Sequence, residues 1–349
     1  MSVLYVTDQG AYLIKKGKRL FVTKKGKILH QIHTFNLDQV VLMGSISISA
    51  GAIAFLIQEG IDTVFMSTYG KYRGRLITGF GKNIDLRVLQ FQKMAEEKTR
   101  LDFAKLYVNG KLNNCRILLR RYNVDLNNPD ITAALHRIRN MIRRISEADS
   151  IPTLMGLEGQ SAAVYFGVFG NLIKAENITF NGRNRRPPKD PANVLLSLGY
   201  TLLENLIQTQ VNIAGLDPYL GCFHSTEYGR PSLVLDLMEE FRPVLVDSLV
   251  LQVLNKKIIR HTDFYRPEER ESAAFDFAET EHHREDLLIV LTHTGMKKFI
   301  TQFESRINRK VLYEPKGMQL SYREICLEQV RSFVRRLKEE DQYTPYLMR

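Results

Sequence analysis

The sequence has no run of about 18 apolar residues, so no segment reads as a membrane-spanning helix. Its first residues, MSVLYVTDQGAYL, lack the charged start, apolar core and small-residue cleavage site of a secretory signal. A cytoplasmic protein is the expectation. Cysteine is scarce: Cys115, Cys222 and Cys326 are odd in number, lie far apart and form no CxxC pair. That argues against a disulfide framework or a zinc ribbon. Cys222 lies two residues from His224 and reads as a small buried hydrophobe. There is no long low-complexity stretch and no internal repeat.

What is present is ordinary globular composition and an excess of positive charge. The chain has 349 residues, 44% hydrophobic and 25% charged. That length is more than one typical domain holds, so two domains are expected. The formal charge is +11 and the pI about 9.4, which implies a polyanionic partner. Nucleic acid fits better than a membrane surface, because no compact basic amphipathic helix or lipidation signal occurs.

Residues 1–84 read as a small β-rich domain. Short apolar runs at Val3–Val6, Tyr12–Ile14, Leu20–Thr23, Ile28–Ile32 and Val40–Met43 alternate with turn signals: Asp8-Gln9-Gly10 and two KKGK segments, 15–18 and 24–27. Glycine supplies the positive φ of tight hairpins, and the KKGK segments read as solvated hairpin tips. A short helix is expected over Ala50–Glu59, then a strand at Thr63–Met66. From residue 85 to 349 the periods become helical. Leu101, Ala104, Val108, Leu112, Cys115 and Leu119 stripe one helix. Ile131, Leu135, Ile138, Ile142 and Ile145 stripe the next, with Arg137, Arg139, Arg143 and Arg144 on its other faces. Further helices are expected over Leu154–Ala175, Asn193–Ala214, Leu233–Asn255, Leu287–Arg309 and Tyr322–Lys338, the last opened by a capping box of Ser321 and Glu324. Phe264–Glu281 reads as a loop. The expected class is α+β: a β-rich domain followed by a larger all-α domain.

Three segments carry chemistry-bearing side chains. In GLEGQSAAVYF, Glu158 stands between two glycines at the expected start of an apolar helix; taken alone, a helix-start Glu favoured by the macrodipole explains it better than function does. Tyr165 in the same stretch reads as a core residue or as a group facing DNA. In NGRNRRPPKDP, Arg183, Arg185, Arg186 and Lys189 lie in a proline-stiffened loop suited to phosphate oxygens. In GCFHSTEYGRPSLVLDLMEEFRP, His224 precedes a turn and a helix opens after Pro231. Asp236 and Glu239, three apart, share one helix face, Glu240 is expected to be solvated, and Leu233, Leu237, Phe241 and Leu245 bury the opposite side. A His and two acids are weak evidence alone. They gain weight from lying in apolar segments, where a buried carboxylate needs a cation.

These stretches, with FNGRNRRPPKDPANVLLSLGYTLL and AGLDPYLGCFHSTEYGRPSLVLDLMEEFRP, make the chain resemble the CRISPR-associated adaptation endonuclease and integrase family, Cas-one, over essentially its whole length. The resemblance implies an N-terminal β domain that dimerises and an α-helical catalytic domain. It implies a homodimer that assembles with the small partner Cas-two and joins short DNA fragments into a CRISPR array. It places the family's metal ligands on Glu158, His224 and Glu239, and an additional acid on Asp236, either an orienter of the site or a ligand of a second ion. Two carboxylates and one imidazole suit Mg²⁺ or Mn²⁺. The expected reaction is attack of a 3′-hydroxyl on a repeat phosphodiester. Arg183, Arg185, Arg186, Lys189, Arg230 and Arg242 are the candidate contacts to double-stranded DNA. The competing readings are a non-catalytic DNA-binding scaffold and a metal hydrolase of a small phosphorylated substrate.

Overall fold

A computed structural model describes residues 2–33, 35, 37–76, 83–184, 188–224, 227–266 and 289–348. The chain divides into two compact units, Met1–Phe80 and Gly81–Arg349.

The first unit contains two four-stranded sheets. One has strands β1 (Ser2–Val6), β5 (Leu37–Met43), β7 (Asp62–Met66) and β8 (Tyr72–Leu76) in that order. Its first three strands pair in parallel and β8 closes the edge antiparallel. The second has the order β4 (Lys27–His33), β3 (Arg19–Lys24), β2 (Tyr12–Lys16), β6 (Ser47–Ile48). Both KKGK segments sit at hairpin tips, between β2 and β3 and between β3 and β4. Helix α1 (Ala50–Gln58) starts at Ser49, whose side chain accepts from the Ala52 amide. Alternation along the strands sends Leu13, Leu20, Val22, Val40 and Leu42 inward, where they pack with Phe55 and Leu56 of α1.

The second unit is predominantly helical, with two short two-stranded ladders. Helices α2 (Ile84–Ala95), α3 (Glu97–Leu126), α4 (Pro129–Arg144), α5 (Ile151–Phe169) and α6 (Pro191–Ala214) follow one another. The α3 stripe is buried at Ala104, Val108, Leu112, Cys115 and Leu119, and this helix packs against α4 and α5. Arg137, Arg139, Arg143 and Arg144 of α4 are exposed. Helix α5 begins earlier than its apolar pattern suggests, because Ser150 caps it and a proline occupies its first turn. Glu158 therefore lies on its third turn, and the macrodipole account of that residue falls.

The segment expected as one helix over Leu233–Asn255 is broken. Helix α7 (Ser232–Met238) runs into a 3₁₀ turn (Glu239–Phe241), then a wider π-type turn (Arg242–Asp247), then α8 (Ser248–Asn255). Pro243 has no N–H to give the helix ladder, and its ring crowds the preceding turn. The break rotates Glu239, Arg242 and Asp247 relative to a regular helix.

Phe264–Tyr265, expected in a loop, forms strand β9 and pairs with β10 (Val290–Leu291); residues 267–288 lie outside the described set. Helix α9 (His293–Ile307) starts six residues later than the pattern suggested, at an N-cap on Thr292. A hairpin of β11 (Lys310–Tyr313) and β12 (Met318–Ser321), unforeseen from sequence, leads into α10 (Tyr322–Leu337). The capping box forms there as expected: Ser321 Oγ accepts from the Glu324 amide, and the Glu324 carboxylate accepts from the Ser321 amide at 2.7 Å. Removing that cap by Ser321→Ala should lower the unfolding free energy by about 1 kcal/mol, read as a lower urea midpoint at unchanged slope. An unchanged midpoint would contradict this account of how α10 starts.

Candidate active site

Three separate elements of the helical unit converge on one buried point. Helix α3 brings Lys111, α5 brings Glu158, and the 3₁₀ turn after α7 brings Glu239. Lys111 Nζ contacts Glu158 Oε1 and lies 2.6 Å from Glu239 Oε2. The second Glu239 oxygen lies 3.0 Å from Arg242 Nε and 3.8 Å from His224 Nε2. The Lys111 contact to Glu239 Oε2 lies off the hydrogen-bonding direction, so that buried oxygen has a charge partner but no aligned donor. Burial works against both charges, and the neighbours outweigh it. Glu239 and Glu158 push the Lys111 ammonium up to about 12. Arg242, Lys111 and His224 hold the Glu239 carboxyl down at about 2.

His224 is positioned from behind. Asp236 is fully buried, and its carboxylate accepts from the Cys222 amide at 2.5 Å, the Phe223 amide at 3.0 Å and the His224 amide at 2.9 Å. His224 Nδ1 lies 2.6 Å from the same carboxylate. Both Asp236 oxygens are thereby occupied within the loop. With Nδ1 bonded to Asp236, Nε2 is the ring nitrogen turned towards Glu239. Gly221 is required for this arrangement: a Cβ there would stand 2.5 Å from Asp236 Oδ2 and 2.7 Å from the Ser232 carbonyl carbon. Buried Gln90 of α2 pins the loop from the other side, donating to the Asp217 and Leu220 carbonyls and accepting from the Asp217 amide.

The remaining residues singled out by sequence divide in two. Arg242 stacks over the Tyr200 ring at 4.9 Å beside Glu239 and so belongs to the site. Arg183 also lies over Tyr200, and its guanidinium donates to Asn193 Oδ1 and Ser197 Oγ, tying its loop to α6. Lys189 is exposed, and Arg230 pairs with Glu227 at 3.0 Å. Arg185 and Arg186 lie outside the described residues. Tyr165 is a core residue: it is buried and donates to Asp247 Oδ2, while Tyr200 donates to Oδ1. Burial drives the Asp247 carboxyl up to about 6 against those two bonds. Asp247, Tyr165, Tyr200, Glu158, Lys111 and Arg242 line one cleft. Cys222 is buried, as its reading as a small hydrophobe expects.

Glu240 corrects the sequence reading. It was expected in solvent, yet it is wholly buried behind the site. Its carboxyl accepts from Gln329 Nε2 at 2.9 Å, the Tyr343 hydroxyl at 3.1 Å and the Tyr346 amide at 3.1 Å. Asn114 of α3 donates both to the Glu240 carbonyl and to the Tyr346 carbonyl. Consecutive side chains on the 3₁₀ turn are rotated by about 120°, so Glu239 enters the site and Glu240 fastens the turn to α10 and the C-terminal tail. Burial pushes the Glu240 carboxyl up to about 8 despite those donors.

Sequence reasoning missed Lys111, Gln90, Asn114 and Asp247. Lys111 carried a signal: it lies three residues after Val108 and four before Cys115, on the buried stripe of α3, where a lysine needs a counter-charge.

Among the described residues no three His, Cys, Asp or Glu side chains stand close enough to hold an ion as they are, because Lys111 lies between the acids. The donor set nevertheless fits a divalent ion. The two carboxylates already share one cation, and the 3.8 Å between His224 Nε2 and Glu239 Oε1 is within the span of two bonds of about 2.1 Å.

A β-rich unit followed by a mainly helical one, with two glutamates on one lysine and an imidazole beside them, is the class of protein that fold and site define. The family model of the CRISPR associated protein Cas1 matches residues 4–305, and the chain belongs to the Cas1 family. It is 35% identical over its full length to CRISPR-associated endonuclease Cas1 3 of Thermus thermophilus, covering 98% of that protein. Two solved structures share the fold. A casposase bound to integration product aligns over 99% of this chain and 92% of its own, with TM-score 0.82 at 20% identity. A Cas6-RT-Cas1–Cas2 complex aligns over 99% of this chain and 36% of that one, with TM-score 0.82 at 22% identity. Among the described residues no helix is long and apolar enough to cross a membrane.

Replacing Glu240 by Ala strands three donors in the interior and opens a cavity. It should cost about 3 kcal/mol or more in urea unfolding; a loss under about 1 kcal/mol would place Glu240 in solvent after all.

Proposed function

We propose that this chain is a metal-dependent DNA endonuclease and integrase that inserts short DNA fragments into a CRISPR array, by attack of a 3′-hydroxyl on a repeat phosphodiester. Family membership supports the nuclease and integrase class. The single observation that carries the finer reading is that Glu158 and Glu239 share the Lys111 ammonium while His224 Nε2 lies 3.8 Å from Glu239.

In this reading Glu158, His224 and Glu239 would hold Mg²⁺ or Mn²⁺. The ion would supply Lewis acidity at the scissile phosphodiester and offset charge that builds up there. Asp236 fixes the imidazole tautomer and orientation rather than binding a second ion, since its oxygens are occupied. Arg242 sits beside the acids, where its guanidinium can reach a phosphate oxygen. Arg183, with Tyr200, shapes the cleft wall, and Lys189, Arg230, Arg185 and Arg186 are assigned to the DNA backbone.

The partners follow from the same reading: double-stranded DNA, a second copy of this chain, and a Cas2 protein, as in the complex to which this fold is similar. Strand β4 supports self-association through the first unit. It is an edge strand with Ile28 58% and Leu29 47% exposed, on opposite faces. The cytoplasm is the proposed compartment.

The test uses the purified chain with its Cas2 partner on a supercoiled plasmid carrying a repeat, with Mg²⁺, Mn²⁺ or chelator. Glu158→Ala, His224→Ala and Glu239→Ala should each cut metal-dependent strand joining by roughly a hundredfold or more while far-UV circular dichroism stays unchanged. Full joining by folded His224→Ala would overturn the mechanism. DNA binding without any metal-dependent joining or cleavage by the parent protein would favour a scaffold.

A further inference from the structure

Lys111 is the residue of the site that no motif pointed to, and its placement has a consequence for how the site is loaded. Its side chain is 14% exposed and its ammonium touches carboxylates from two elements distant in sequence. Arg242 lies against the other oxygen of Glu239. The two acids are thus already balanced by two cations before any ion enters. Such an arrangement is stable, because neither the buried Glu239 carboxylate nor the partly buried Glu158 is left uncompensated. It is also a poor trap for a divalent ion, which would have to approach two oxygens that face an ammonium.

We infer that Lys111 is a stand-in cation that competes with the divalent ion for Glu158 and Glu239 and so sets the metal affinity of the site. The inference rests on the metal reading above. A lysine suits this role better than an arginine, since its charge is compact and its four-carbon stem can swing the ammonium away without moving the helix. The displaced ammonium then needs an anion, and an incoming phosphodiester provides one. Binding of metal and of DNA are thereby coupled: each makes the other more favourable through Lys111, and by linkage the effect is reciprocal.

The experiment is a Mn²⁺ titration of the metal-free, full-length protein, following free Mn²⁺ by electron paramagnetic resonance, with melting curves recorded in parallel. Lys111→Met should bind Mn²⁺ at least ~10-fold more tightly than the parent protein, and Lys111→Arg should stay within about threefold of it. Metal-free Lys111→Met should melt lower and gain more from saturating Mn²⁺ than the parent does, because the ion restores the missing charge. Short duplex DNA should tighten Mn²⁺ binding to the parent more than to Lys111→Met. Should Lys111→Met not fold, Lys111→Gln carries the same expectation. If the parent binds Mn²⁺, Glu158→Gln weakens it, and both neutral Lys111 variants bind no tighter than the parent, this inference fails and the metal reading stands. If neither the parent nor the variants bind Mn²⁺, the metal reading fails and this inference with it.

Discussion

Glu158 and Glu239 reach the same cation from different parts of the chain, and a buried carboxylate can meet a partly buried one only where positive charge lies between or beside them. Lys111 and Arg242 meet that requirement. The helical unit is arranged around it. Helix α3 is long enough to carry a buried stripe over many turns and to present one lysine from within that stripe. Helix α5 crosses it with Glu158 in mid-helix, away from any terminal dipole. The third contribution needs the chain to leave regular α-helical geometry: the tight and wide turns at Pro243 set Glu239 and Arg242 side by side next to Lys111.

The surroundings of that pair explain why so many polar groups are buried here. Asp236 spends its lone pairs on three amides and the His224 ring, which turns a loop into a rigid mount for one nitrogen. Gly221 is there because nothing larger fits against Asp236. Behind the turn, Glu240, Gln329, Tyr343 and Asn114 form a closed hydrogen-bond set that fastens the turn to α10 and the tail. Adjacent glutamates thus have opposite duties. One has its carboxyl held down by cations at the cleft, and the other has its carboxyl pushed up by burial among neutral donors.

Much of this was legible in the sequence, for identifiable reasons. The KKGK turns and alternating apolar runs specify hairpins through local chemistry alone, and the α3 and α4 stripes repeat often enough to define a face. The Ser321–Glu324 box is a local signal read correctly from four residues. The long motifs around Glu158, His224 and Glu239 named the family. What could not be read depends on tertiary contact. Glu240 lies one residue from Glu239, and helical spacing alone placed it in solvent; the 3₁₀ turn and the tail, distant in sequence, bury it. Pro243 was visible, but the extent of the break it causes is decided by packing. The β11–β12 hairpin is short and half polar, too weak a pattern to stand out between two helices. Lys111 was readable as an anomaly on a buried stripe, though its partners were not.

The central claim is that Glu158, His224 and Glu239 form one divalent-ion site from which Lys111 must withdraw. The most direct measurement is anomalous scattering from crystals of the protein grown with Mn²⁺. The account predicts a single strong peak within about 2.3 Å of an oxygen of each glutamate and of His224 Nε2, with the Lys111 ammonium turned out of the pocket. A pocket with Lys111 still seated between the two acids, and manganese bound elsewhere or not at all, would contradict it.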